Sequence, residues 1–159
     1  ERSKSGRGRC ILGSECSILP NEDLFMTTSP EIYWVCATAL LTGLLWLPYI
    51  GNQLIVMGPW QAVANSDPRA VERSPWAARA AAAHRNAVEN LVIFAPLAIG
   101  VHVVGVGSEM TATACLVYFW ARVGHYVTYL LGVPVVRTLS FALGVVCQIV
   151  LAAAVLGWA

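Results

Sequence analysis

Charged and amide side chains occur inside an apolar stretch of this sequence, where a membrane would make them costly. Between residues 83 and 96 the chain reads AHRNAVENLVIFAP, and the apolar run continues to Val106 without another Asp, Glu, Lys or Arg. Ionisable groups within a membrane span usually face a partner or a polar cavity. The stretch therefore predicts a functional site at the mouth of a membrane-spanning helix.

Helical spacing places most of these polar groups on one face of that helix, because residues three, four and seven apart share a face. The face is roughly 100° wide and carries Arg79, Asn86, Glu89 and Asn90, with Arg85 at its edge. His84 points nearly the opposite way, so we place it outside the site.

A second polar group follows in the next two predicted spans. In the third span, Arg122, His125 and Tyr129 are spaced i, i+3 and i+7, and Tyr118 shares their face. Arg137 begins the fourth span, just after a Gly-Val-Pro turn. Both groups lie toward the same end of the predicted helices, so three helices can form one polar pocket.

The residue types indicate a small ligand with carboxylates, an amine and a thiol. Arginine binds carboxylates through two parallel hydrogen bonds, and Glu89 offers an anion for an ammonium group. Tyr129 and Arg137 can donate to a thiolate, which would lower the pKa of the thiol. Glutathione combines these groups, and we expect it as a co-substrate.

Each of these residues also has a structural interpretation. Long arginine side chains near helix ends reach back to lipid headgroups, which would account for Arg79 and Arg85. Asn86 and Glu89 can form a polar clamp between helices, and Arg122 can pair with Glu89 as a structural ion pair. His125 and Tyr129 of the third span could instead be residues that pack within the bundle.

The composition is that of an integral membrane protein. Of the 159 residues, 57% are hydrophobic and 12% are charged, against roughly 25% charged in soluble domains. The net charge of +1 and the lack of a basic stripe argue against a nucleic-acid partner. The five cysteines show no CxxC spacing, so we predict neither a metal site nor a disulfide framework.

Four apolar segments have at least the roughly 20 residues needed to cross a bilayer. They cover about 31–57, 75–106, 109–131 and 135–158. Ser74-Pro75 is a typical helix start, and Gly132-Val133-Pro134 predicts a tight turn. The mostly short connections favour an all-α, up-and-down transmembrane four-helix bundle.

Basic residues near the predicted span ends set the expected orientation. Arg69 and Arg73 lie in the first loop and Arg122 and Arg137 flank the third, whereas the second loop has no Lys or Arg. Loops one and three, and with them the site, should therefore face the cytoplasm. The basic residues of 1–25 contradict this orientation, and we interpret that segment as a disordered or non-native extension preceding a domain over 26–159.

Two linked motifs resemble the family of membrane-associated proteins in eicosanoid and glutathione metabolism (MAPEG). They are RAAAAHRNAVEN and ARVGHYVTYLLGVPVVRTLSF, and the segments TALLTGLLWLPYI and ENLVIFAPLAIGVHVVGV are similar to short bacterial members. The resemblance implies four-helix bundles assembled as a homotrimer in a bacterial inner membrane, with glutathione between adjacent subunits near the cytoplasmic side. It implies glutathione conjugation, peroxide reduction or isomerisation of lipid mediators as the activity.

The resemblance also implies roles for individual residues. Asn86 and Glu89 match the Asn-x-x-Glu pair that holds the tripeptide, and Arg85 matches an arginine that contacts a carboxylate in some members. The third-helix positions of the family are matched by Arg122, His125 and Tyr129.

Arg137 matches the arginine that stabilises the thiolate, and we expect Tyr129 to assist it. The sequence departs from the family at Ala82, where an arginine often stands. Arg79 lies one turn earlier and could substitute for it. The first span also lacks an arginine that some enzymatic members carry.

These features predict a glutathione-dependent transferase or peroxidase that acts on lipophilic electrophiles or hydroperoxides from the bilayer. The alternative is a non-catalytic membrane protein that uses the cluster as a structural clamp or a lipid-binding site. Ala82 favours this alternative slightly. A small transporter or channel is a weaker interpretation, because no span carries a polar stripe along its full length.

Overall fold

A computed structural model describes residues 29–64 and 74–158, and all regular structure in these ranges is helical. The helices are α1 Pro30–Leu44, α2 Leu47–Met57, α3 Pro59–Ala64, α4 Pro75–Val104, α5 Glu109–Leu131 and α6 Pro134–Leu156. The expected all-α class is therefore confirmed. The predicted extension over 1–25 and the loop arginines Arg69 and Arg73 lie outside the described residues.

The first predicted span is divided into α1 and α2 at Leu45 and Trp46. Pro48 accounts for the break, because proline has no N–H and its ring clashes with the carbonyl four residues earlier. α1 begins at the predicted position, where the Ser29 hydroxyl accepts a hydrogen bond of 3.4 Å from the amide of Ile32.

The start of α4 at Ser74-Pro75 agrees with the prediction, but Ser74 does not use its side chain as a cap. Its hydroxyl instead accepts a hydrogen bond of 3.1 Å from Asn52 Nδ2, and its amide donates to Asn52 Oδ1 over 3.4 Å. These two contacts hold α2 against the first turn of α4.

The tight turn between α5 and α6 is also present. Gly132 adopts a left-handed conformation with φ of 76°, which glycine reaches without a steric penalty. The amide of Val133 then donates to the carbonyl of Thr128 over 2.9 Å and completes the end of α5. α6 can therefore reverse direction and pack along α5.

The core lies where α1, α4, α5 and α6 meet. Phe94 stacks on Tyr118 with a centroid distance of 3.8 Å and an interplanar angle of 8°. The outer faces carry large apolar side chains, among them Leu40, Val92 and Ile149 with exposed fractions of 66%, 69% and 62%. Surfaces of this kind need an apolar environment or a protein partner.

Three segments are long and apolar enough to cross a membrane: Pro30–Met57, Pro75–Val104 and Pro134–Leu156. They correspond to the first, second and fourth predicted spans. The third, α5, has the predicted bounds and sufficient length, but it is less apolar and does not meet the same criterion.

Candidate functional site

The polar residues gather at the end of the bundle where α4 and α6 begin and α5 ends. Arg79 marks this junction, because its Nε donates a hydrogen bond of 2.9 Å to the carbonyl of Leu130 in the last turn of α5. A cation at the C-terminal end of a helix also interacts favourably with the helix dipole. Arg79 therefore ties the start of α4 to the end of α5, and this contact engages its side chain within the chain.

Arg122 is the most deeply buried charged residue of the predicted cluster, with 4% of its surface exposed. Its Nη1 donates to Asn86 Oδ1 over 3.4 Å, and its Nη2 donates to the carbonyl of Ser140 over 3.5 Å. The Cζ atom lies 5.4 Å from the centroid of the Tyr118 ring and 5.6 Å from that of Phe141. The side chain is thus held by α4, α5 and α6 together.

Aromatic contacts extend the cluster from Arg122 to the start of α6. The His125 ring lies 6.1 Å from Phe141 and 5.6 Å from Tyr129, measured between centroids. The Cζ atom of Arg137 lies 4.6 Å from the centroid of Tyr129, within the range of a cation–π contact. The thiolate-stabilising pair predicted from the sequence is therefore in direct contact.

Glu89 and Arg85 have a different environment from the rest of the cluster. Both side chains are exposed, and neither forms a hydrogen bond or ion pair with another described residue. The structural ion pair between Glu89 and Arg122 is not formed, because Arg122 turns toward Asn86 instead. One chain thus provides an open polar surface on α4 beside a buried network.

His84 lies outside the cluster, as its helical position predicts. Its Nδ1 is 2.9 Å from the hydroxyl of Tyr49 on α2, so it contributes to the packing of α2 against α4.

Sequence reasoning missed several residues that surround Arg122, above all those of α6. Gln148 is buried, and its Nε2 donates to the carbonyl of Asn90 over 3.2 Å and to the Tyr118 hydroxyl over 3.5 Å. The available signal is that Gln148 is the one amide side chain of α6 and stands between apolar runs over 141–147 and 149–156. Ser140 and Phe141 carried no comparable signal, because small and aromatic residues are ordinary in such helices.

Of the described cysteines, Cys147 lies within electrostatic reach of Arg122 and Tyr118, beside the cluster. Cys36, Cys115 and Cys147 are free thiols, and no group of three metal-binding side chains occurs among the residues that the structure describes. An apolar groove of about 420 Å³ runs between α5 and α6 from Met110 to Val150, and its lining includes none of the predicted site residues.

Apolar helices around a network of arginine, amide and phenol groups define a class: helical membrane proteins with a polar site at one end of the bundle. The model of the MAPEG family matches residues 32–157 of this chain. The chain therefore belongs to the MAPEG family, and it is a membrane protein. A search of curated proteins finds no match.

Proposed function

We propose that this protein is a membrane-bound glutathione-dependent transferase or peroxidase that acts on lipophilic electrophiles or hydroperoxides. The observation that carries the proposal is the contact between Arg137 and Tyr129 next to the Arg122–Asn86 network, in a member of the MAPEG family. A guanidinium and a phenol side by side provide positive charge and a hydrogen-bond donor, which favour a thiolate over a thiol.

Glutathione would bind across the open surface of α4. Glu89 and Arg85 are exposed and free of partners in the described chain, so they can receive the ammonium and a carboxylate of the tripeptide. Asn86 borders this surface and holds the backbone of the ligand. His125 lies between Arg122 and Tyr129 and lines the path to the thiol.

The chemical step begins with loss of the thiol proton to solvent, with Arg137 and Tyr129 stabilising the thiolate. In conjugation, the sulfur attacks the electrophilic carbon, a C–S bond forms and the leaving group departs with its electron pair. In peroxide reduction, the sulfur attacks the terminal peroxide oxygen, an S–O bond forms as the O–O bond breaks, and the alkoxide leaves and takes a proton from solvent. A second glutathione thiol then attacks the sulfur of the resulting sulfenic acid, so that an S–S bond forms and water is released. Bound orientation and charge stabilisation supply the rate gain.

The proposal includes the assembly. We place α5 in the membrane as a fourth span, because it has the length of a crossing helix and lies between two apolar neighbours. Its polar side chains at Tyr118, Arg122 and His125 are buried within the bundle rather than exposed to lipid. Three copies would enclose Glu89 and Arg85 between subunits, with the site toward the cytoplasm. If an adjacent subunit completes the site, the charges of Glu89 and Arg85 are exposed on one chain but covered in the assembly. This would explain why they lie beside an apolar surface.

The direct test is thermal denaturation of the detergent-purified protein with and without glutathione. A ligand at 100 times its Kd stabilises the native state by about 2.7 kcal/mol, so millimolar glutathione should raise the melting temperature by several degrees. Glu89→Ala should abolish this shift, and Arg137→Ala should reduce it. Glu109→Ala is the matched control, because Glu109 is exposed at the opposite end of the bundle. No shift with the unaltered protein would refute the proposal.

Turnover then separates the possible reactions. We expect glutathione consumption with a generic aryl halide for a transferase, and with a lipid hydroperoxide for a peroxidase. S-methylglutathione is the matched ligand control, because it retains the carboxylates and the amine but cannot form a thiolate. It should stabilise the protein and support no turnover.

The second candidate is a structural clamp or lipid-binding site without catalysis. The bonds from Arg79 to Leu130 and from Arg122 to Asn86 favour it, because both arginines are used within the chain. On this alternative, the unaltered protein shows no response to glutathione. Arg137→Ala and Glu89→Ala then change only stability or lipid retention.

A further inference from the structure

We infer that Arg122, held against the backbone of Gly144, is a positioning residue that fixes the orientation of the Asn86 side-chain amide. In that orientation the NH₂ group of Asn86 points toward the ligand, which must present an oxygen acceptor there. The role in ligand binding rests on the proposed function, whereas the orientation itself can be tested without glutathione.

Gly144 provides the space for the guanidinium. A Cβ atom at this position would lie 2.7 Å from Nη2 of Arg122, 3.2 Å from Cζ and 3.3 Å from Nε. The first of these distances is shorter than real carbon contacts allow. The rings of Tyr118 and Phe141 also contact the guanidinium, so any larger residue at 144 must displace Arg122 from its present position.

Stability alone does not explain this cation. Arg122 forms no ion pair with a described carboxylate, and its buried Nε has no hydrogen-bond partner within the described chain. A buried donor without a partner is costly, and apolar residues often replace buried charges without loss of stability. A role in orienting the Asn86 amide accounts for the burial of Arg122, which packing alone does not explain.

The contact with Asn86 determines which way that amide faces. A guanidinium can only donate hydrogen bonds, so the atom of Asn86 that faces Nη1 is the oxygen. The NH₂ branch is then directed away from Arg122. It donates to no described residue, and Asn86 is only half-buried. Arg122 itself is 4% exposed, so it acts on the ligand through Asn86.

The first test is a double-mutant cycle on melting temperature without ligand. Asn86→Asp places a carboxylate against Arg122, so it should raise the melting temperature by several degrees. In an Arg122→Gln background the same substitution should give no increase, because the cation is gone. Equal effects of Asn86→Asp in both backgrounds would overturn the inference, since they would show that the two side chains do not interact.

The second test is glutathione affinity. Asn86→Asp loses the NH₂ donor and should raise the Kd about tenfold or more, which corresponds to about 1.4 kcal/mol. Gly144→Ala displaces Arg122 and should raise the Kd similarly with a smaller effect on kcat. Adding Arg122→Lys to Gly144→Ala relieves the collision and should recover part of the affinity.

Gly100→Ala is the matched control, because its Cβ would lie 3.4 Å from Val155, an ordinary contact. It should leave the Kd within twofold. A Kd unchanged in Gly144→Ala and Asn86→Asp would overturn the positioning role. Absence of glutathione binding by the unaltered protein would refute the proposed function instead, and the double-mutant cycle would still decide whether Arg122 orients Asn86.

Discussion

Arg79 allows the structural and ligand-binding interpretations of an arginine to be separated by experiment. The sequence predicts it as a ligand contact that could replace the missing arginine at Ala82, but its Nε donates to the carbonyl of Leu130 over 2.9 Å. Hydrogen bonds of charged groups contribute about 1.5–3 kcal/mol. Because Arg79 is partly exposed, we take the lower part of this range, so Arg79→Ala should cost about 1.5–2 kcal/mol.

For a chain of this length, that loss corresponds to a melting temperature lower by roughly 3–8 °C. The Kd for glutathione should stay within twofold, measured at a temperature where the variant is folded. Glu89→Ala and Arg85→Ala are the comparison variants, because both side chains are exposed and unpaired among the described residues. They should show the reverse pattern, with unchanged melting and weaker binding. An Arg79→Ala variant of normal stability with a tenfold higher Kd would refute the structural role of Arg79 at the end of α5.

Substitutions at four further positions test the contacts that hold the helices together. Thr111→Val removes the donor to the buried Glu31 carboxylate (2.7 Å) and one bond of the α5 capping box. It should cost about 2–4 kcal/mol of unfolding free energy, and Thr111→Ser should restore most of it. Asn52→Ala and Ser74→Ala should each cost about 1 kcal/mol, and a double variant no worse than either single one would confirm their direct contact. Phe94→Ala empties a fully buried position and should cost about 3–5 kcal/mol, whereas a value below 1 kcal/mol would contradict the described core.

Helix limits were largely predictable because their signals are local. Ser74-Pro75 marks the start of α4, and Gly132 permits the left-handed turn that ends α5. Such signals depend on the chemistry of a few neighbouring residues rather than on tertiary contacts. Pro48 lay within a predicted span as well, and its steric effect divides that span into α1 and α2.

Partners across helices were much less predictable. Helical spacing correctly placed Asn86 and Arg122 on polar faces, but the choice of Asn86 rather than Glu89 as the partner of Arg122 depends on how α4 is rotated against α5. The contact between the Arg122 guanidinium and Gly144 also depends on the position of α6. The sequence patterns of α4 and α5 do not specify that position. These contacts arise from packing between helices that are far apart in the chain. The helical periodicity of the side chains alone does not determine this packing.

The rotation of α4 against α5 determines which residues of its polar face are buried in the bundle and which are exposed. The polar face predicted from helical spacing is one stripe, but the bundle splits it at Asn86. On one side, Asn90 is buried, and its Nδ2 donates to the carbonyl of Asn86 in the same helix. On the other side, Glu89 and Arg85 stay open. Substitutions on the buried side should therefore act through stability and geometry, and those on the open side through ligand affinity. Asn86 belongs to both sides, so Asn86→Asp is the substitution expected to raise stability and lower affinity at once.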